Sequence, residues 1–268
     1  MTGSLFIRSP HLPITDHPMA QVLQSRPMPT QSPLQRVSSA ANLDWRSVAR
    51  LIDHTLLRAD TTRQQVAWLC AEAAHFGFAA VFVHPSYVAQ AVMALHLTPV
   101  KVGTPVGFPL GAALTSVKRF ETAEALRLGA DEIDMVLNIG ALKSGDRALV
   151  ENDIRGVAEV AHRAGGIVKV ILEAALLTRD EKVLACELAV SAGADFVKTS
   201  TGYAAGGATV DDIALLRSVV GERAGVKAAG GIRTAAHVAA MLSAGADRIG
   251  TSSAVQIMLE LGAPPFQQ

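Results

Sequence analysis

Gly193-Ala194-Asp195-Phe196-Val197-Lys198-Thr199-Ser200-Thr201-Gly202 holds a helix end, a short strand and a loop within ten residues. Its opening tripeptide recurs as Gly129-Ala130-Asp131 and Gly245-Ala246-Asp247. Each copy follows a helix-like run and precedes a Val/Ile-rich one. Glycine suits the left-handed position that closes a helix. Three residues beyond each Asp stand Asp134, Lys198 and Gly250. A similar helix end, Phe76-Gly77-Phe78-Ala79, puts Phe82 in the same register. Side chains alternate along a strand, so equal register aims Asp134 and Lys198 to one side. The same tripeptide is also simply a good helix-to-strand turn, and the two readings are compatible.

The strand-like runs extend in both directions as Leu51–Leu57, Ala79–His84, Lys101–Phe108, Glu132–Asn138, Ile167–Glu173, Phe196–Ser200, Val226–Ala229 and Arg248–Thr251. Helix-like stretches lie at Thr62–Phe76, Thr115–Leu128, Arg147–Arg163, Arg179–Ser191, Val210–Val220 and Ala235–Ser243. Parallel strands need such crossovers. Eight of these units predict an α/β fold, a (β/α)8 TIM barrel with its site at the C-terminal ends of the strands. The alternative is an open doubly wound sheet, weakened because no G-x-G-x-x-G follows the first strand.

Lys198 is followed by small polar residues, as expected where a strand runs into a site. Lys227 stands on the next strand, in Val226-Lys227-Ala228-Ala229-Gly230-Gly231. Two neighbouring lysines disfavour each other's charge, and desolvation acts the same way. A lysine freed of its proton attacks carbonyls and forms an iminium, an electron sink for carbon–carbon cleavage. A lysine paired with a carboxylate is the competing reading. Asp is uncommon in strands, so Asp134 and Asp53 need a reason, either a proton relay or an ion pair. Lys169 and Glu173 read as a mutual or cross-strand salt bridge. Gly230-Gly231 and Gly250-Thr251-Ser252-Ser253 end the last two strands, where barrels often bind phosphate, and Thr201-Gly202 can add to that cradle.

Apolar residues are 50% and charged ones 18% of the 268 residues, which favours a large core over disorder. The formal net charge is zero, so no general electrostatic case for nucleic acid exists. No apolar run reaches membrane-spanning length, and the start lacks the apolar segment of a secretory signal. Cys70 and Cys186 read as reduced core thiols, which fits a cytoplasmic protein. His54, His75, His84, His96, His162 and His237 show no metal-ligand spacing, so no metal is expected. Residues 1–45 carry Pro10, Pro13, Pro18, Pro27, Pro29 and Pro33 among Gln and Ser. They read as a flexible extension, with the barrel over 46–262 and a tail at 263–268.

The motifs Asp53-His54-Thr55-Leu56-Leu57, Val106-Gly107-Phe108-Pro109-Leu110-Gly111, Lys169-Val170-Ile171-Leu172-Glu173, Lys198-Thr199-Ser200-Thr201-Gly202 and Lys227-Ala228-Ala229-Gly230-Gly231-Ile232-Arg233 resemble the deoxyribose-phosphate aldolase family. The resemblance runs from about Leu51 to about Ser253. It implies reversible cleavage of 2-deoxy-D-ribose 5-phosphate to D-glyceraldehyde 3-phosphate and acetaldehyde, without cofactor. It implies Lys198 as Schiff-base former, Lys227 as its perturber and Asp134 as proton relay. Asp53 would orient a substrate hydroxyl. Thr55 and Thr199 would join the substrate site, and phosphate would rest on Gly202, Gly230, Gly231, Gly250, Ser252 and Ser253. Two departures stand out. Many relatives carry cysteine where this chain has Phe82. Some end in a tyrosine that assists proton transfer, where this chain ends Pro264-Pro265-Phe266-Gln267-Gln268. A homodimer is expected. The competing functions are another phosphosugar barrel enzyme, such as an isomerase, and a non-catalytic phosphometabolite binder.

Overall fold

A computed structural model describes residues 43–266. The sequence places its extension at 1–45, and residues 1–42 of that segment lie outside the described residues, as do 267 and 268. Eight strands, β1 (Ile52–Leu56), β2 (Ala80–Val83), β3 (Lys101–Val106), β4 (Glu132–Val136), β5 (Ile167–Ile171), β6 (Phe196–Lys198), β7 (Gly225–Ala229) and β8 (Arg248–Thr251), pair in parallel and in order. The barrel closes between β8 and β1, as the sequence predicts. The helices are α1 (Trp45–Ala49), α2 (Arg63–Phe76), α3 (Val88–Leu95), α4 (Thr115–Arg127), α5 (Ile139–Lys143), α6 (Arg147–Arg163), α7 (Arg179–Ser191), α8 (Val210–Val220), α9 (Ala235–Ser243) and α10 (Ala254–Glu260).

The Gly-Ala-Asp repeat sets the register, and each of its residues has a separate task. Gly129, Gly193 and Gly245 have φ of 99°, 89° and 110°, a region that other residues enter at a steric cost. The following alanine N–H donates back to a carbonyl of the finished helix, as Ala194 does to Ala189 at 2.9 Å. The aspartate then turns to the preceding strand. Val102 N donates to Asp131 Oδ2 at 3.0 Å, and Val168 N and Val226 N donate to Asp195 Oδ2 and Asp247 Oδ2, each at 2.8 Å. Three strands are thus pinned to their neighbours before their central residues are reached.

The outer faces of the strands pack on the helices through a continuous apolar core, including Val81, Ile133, Val168, Val170, Val197, Val226 and Ile249. Parallel strands covered by helices are expected to be this apolar. Cys70 and Cys186 are both buried and unbonded within it. The expected strand runs extend past the structure's strands by one or two residues at the C-terminal ends of β1 to β6. There the chain leaves the ladder to form the loops of the site. Helix α3 has no counterpart among the sequence-predicted helices, and short α1, α5 and α10 are likewise additions.

Candidate active site

Alternation brings seven charged side chains into the barrel interior. Asp53 comes from β1, Glu132 and Asp134 from β4, Lys169 from β5, Lys198 from β6, Lys227 from β7 and Arg248 from β8. Asp134 stands opposite Lys169 in register, Lys198 opposite Lys227, and Lys227 opposite Arg248. Lys198 Nζ donates to Asp134 Oδ2 at 2.8 Å, and Lys227 Nζ donates to the same oxygen at 2.7 Å. Lys227 Nζ also lies 2.6 Å from Asp53 Oδ2. That approach is off the hydrogen-bonding direction and leaves the oxygen without a donor. Lys169 donates to Glu132 and, at 3.3 Å, to Asp134 Oδ1. Arg248 donates to Asp53 Oδ1 through Nη2 and, at 2.9 Å, through Nε, and its Nη atoms reach Glu132.

The Phe82 ring covers these amines from β2, with its centroid 3.6 Å from Lys227 Nζ and 4.5 Å from Lys169 Nζ. The ring fits because residue 103 is glycine. A Cβ there would come within 2.3 Å of it. Gly250 serves Lys227 similarly, since a Cβ would sit 3.1 Å from Lys227 Cε.

The charges settle each other's protonation. Burial pushes Lys227 down to about 8, opposed by Asp134 and Asp53 and assisted by Lys198 and Lys169. Burial would raise Asp134, but Lys198, Lys227 and Lys169 hold it well below the usual carboxylate range. Asp53 meets the same opposition, and Arg248, Lys227 and Lys169 bring it to about 2. Lys169, although buried, is held above the ordinary lysine value by Glu132, Asp134 and Asp53. The sequence reading of Lys169 as a cross-strand ion pair is therefore met, but its partners are Glu132, Asp134 and, at 3.8 Å, Asp53. Glu173 forms no salt bridge with it. Glu173 accepts from Thr201 N at 3.2 Å and from Thr201 Oγ1, tying the end of β5 to the loop after β6.

A cavity of about 560 Å3 opens at the C-terminal ends of β1, β6, β7 and β8. Of the sequence-predicted residues, Thr55, Lys198, Gly202, Gly230, Gly231, Gly250 and Ser252 line it. Asp53, Asp134 and Lys227 lie beneath its floor, each with no exposed surface, whereas Lys198 is 4% exposed. Thr199 is buried and bonds both ways with Ala229, donating to its O at 2.9 Å and accepting from its N at 3.0 Å. Ser253 precedes α10 and spends its N–H on Thr251 Oγ1 at 2.9 Å. The cavity also has Arg58, Thr201, Tyr203 and Arg233 on its walls, of which Arg58 and Tyr203 had no sequence signal. Tyr203 Oη donates to Leu57 O at 2.6 Å, joining the loop after β6 to the loop after β1. Among the described residues no group of three or more His, Cys, Asp or Glu side chains is arranged to hold a metal ion.

A closed (β/α)8 barrel with two lysines on one buried carboxylate oxygen, one of them lining an open cavity, has the parts of an imine-forming enzyme. Residues 47–259 match the family described as DeoC/LacD family aldolase, and the chain belongs to that family. The deoxyribose-phosphate aldolase of Geobacillus sp. (strain WCH70) is 56% identical over 212 residues, covering 79% of this chain and 95% of that protein. That of Streptococcus pneumoniae serotype 19F (strain G54) is 57% identical over 209 residues, 78% of this chain and 94% of the relative. Among solved structures, the tetrameric deoxyribose phosphate aldolase of Aeropyrum pernix is similar at a TM-score of 0.76 and 36% identity, covering 84% of this chain and 93% of that one.

Proposed function

We propose that the protein is a metal-independent class I aldolase that reversibly cleaves 2-deoxy-D-ribose 5-phosphate to D-glyceraldehyde 3-phosphate and acetaldehyde. The observation that carries the reading is the division of labour among the buried lysines. Lys198 alone among Lys169, Lys198 and Lys227 lines the cavity, and it shares Asp134 Oδ2 with Lys227.

Lys198 Nζ attacks the C1 aldehyde of the open-chain sugar. Its proton passes by way of Asp134 to Lys227, whose position near 8 lets it take and return a proton close to neutral pH. Loss of water gives the iminium. The C3 hydroxyl then gives up its proton, the C2–C3 bond breaks, and its electron pair moves into the enamine. D-glyceraldehyde 3-phosphate leaves. Protonation at C2 and hydrolysis release acetaldehyde and restore Lys198. Phosphate rests against Gly202, Gly230, Gly231, Gly250 and Ser252, where glycine lets backbone N–H groups approach closely. Arg233 supplies positive charge at the rim, whereas Arg58 is committed to Asp60 through Nε and Nη2. Asp53 acts from below by holding Lys227, and Thr55 borders the sugar. Thr199 and Ser253 shape their loops through the bonds described above.

A coupled assay with 2-deoxyribose 5-phosphate, beside ribose 5-phosphate as control, tests the reading. Turnover of the deoxy sugar, abolished by Lys198→Leu and unaffected by chelator, is expected. Full activity in Lys198→Arg, which cannot form an imine, would instead indicate a non-covalent phosphosugar enzyme. A cytoplasmic homodimer is part of this proposal, and light scattering decides the dimer. No helix among the described residues is long and apolar enough to cross a membrane.

A further inference from the structure

The charges inside the barrel do not balance. Four cations, Lys169, Lys198, Lys227 and Arg248, face three carboxylates, Asp53, Glu132 and Asp134. Among the described residues, the two other charged groups in the same register are committed elsewhere, Lys101 to Asp131 at 3.1 Å and Glu173 to Thr201. From β2 comes the Phe82 ring, and from β3 come Gly103 and Pro105. One of the four cations cannot relieve the excess, because a guanidinium does not shed its proton in proteins. The strain therefore falls on the lysines.

Arg248 also decides where the carboxylates point. It donates to Asp53 Oδ1 through Nε and Nη2 and reaches Glu132 through Nη1 and Nη2. Asp53 is left to meet Lys227 through Oδ2 alone, off the hydrogen-bonding direction. Glu132 is divided between Arg248 and Lys169. What remains for Lys198 and Lys227 in common is a single oxygen, Asp134 Oδ2.

We propose that Arg248 is a positioning residue of the amine pair. By occupying Asp53 Oδ1 and Glu132, it leaves the lysines one carboxylate short and keeps one amine free of its proton near neutral pH. Arg248 touches no substrate, since it does not line the cavity. Its effect passes through Asp53 to Lys227. The inference rests on the Schiff-base reading for its catalytic meaning, but the charge count stands without substrate.

Two substitutions push the count in opposite directions. Arg248→Met leaves three cations and three carboxylates, so the lysines should keep their protons to higher pH. Glu132→Gln deepens the cation excess and should do the reverse. The readouts are the pH dependence of borohydride-trapped imine formed with acetaldehyde, and a substrate-free 15N titration of the lysine Nζ groups. In Arg248→Met the acid limb of trapping and the Lys227 titration should both move up by about one pH unit, with about a tenfold loss of trapping rate below the limb. Arg248→Lys should restore much of the shift, and Glu132→Gln should move both readouts down. Should Arg248→Met not fold, the downward shift in Glu132→Gln decides. A Lys227 titration unmoved in the folded variants, whatever their rates, overturns the inference and leaves Arg248 a structural residue. A titration that moves while the wild type traps no imine upholds the charge count and strikes the Schiff-base reading instead.

Discussion

At Asp134 Oδ2 two amines compete for one acceptor, and the other groups of the interior bias which proton is easiest to lose. Lys227 titrates near 8 in the folded protein against 10.5 as a free side chain. The unfolded chain thus binds more protons between these values, and Lys227's contribution makes stability rise with pH across that window. Asp53 behaves differently. Its folded value of about 2 lies below the model carboxylate's 3.8, so its contribution is present above 3.8 and is lost as pH falls through about 2. Unfolding free energies from denaturant titrations at pH 5 and pH 2 should differ by about 2 kcal/mol more in the wild type than in Asp53→Asn. Lys198, Lys227, Asp134 and Asp53 were legible because charges stand out in apolar strands. Lys169 was legible as an ion-pair residue, while Glu132 and Arg248 occupy the same inward face two residues ahead of Asp134 and Gly250. Arg248 went unread because it opens its strand next to Asp247, where a charge looks like loop. Arg58 and Tyr203 sit in loops without periodicity, and only the folded chain brings them to the cavity.

Strands β4 and β6, which carry Asp134 and Lys198, owe their aim to the aspartate just ahead of each, Asp131 and Asp195. Asp195 accepts from Val168 N and lies 2.9 Å from His162 Nε2, so the start of β6 is tied to β5 just ahead of Lys198. Replacing Asp195 with Ala leaves a strand N–H without its acceptor. Thermal or urea unfolding should show a loss of about 1–3 kcal/mol. Activity should fall as well, because a slip at β6 moves Lys198 off Asp134. The eight-unit alternation was legible because strand and helix periods differ and the Gly-Ala-Asp repeat punctuates them. Helix α3, Val-Ala-Gln-Ala-Val-Met-Ala-Leu, was not. At eight residues, rich in Val and Ala, it resembles the buried strands beside it. The ends of β3 and β6 were overrun for a related reason, since Gly107-Phe108 and Thr199-Ser200 remain strand-like in composition while leaving the ladder.

The molecule as a whole keeps reactive sulfur away from its aldehydes. Its only two cysteines, Cys70 and Cys186, are buried under the helices, and burial pushes their thiols up to about 11 and about 12. The thiolate is the nucleophile, and the inward position on β2 holds the Phe82 ring. Prolonged exposure to excess acetaldehyde should therefore leave both cysteines unmodified by intact-mass and peptide analysis, with activity retained. The barrel gathers its charges beneath one cavity and lets a single lysine of the cluster line that cavity. Reduction with borohydride in the presence of acetaldehyde, followed by peptide mapping, tests that arrangement most directly. One ethyl group on Lys198 is the predicted result. An unmodified Lys198, or an adduct on Lys227 or Lys169, would contradict it.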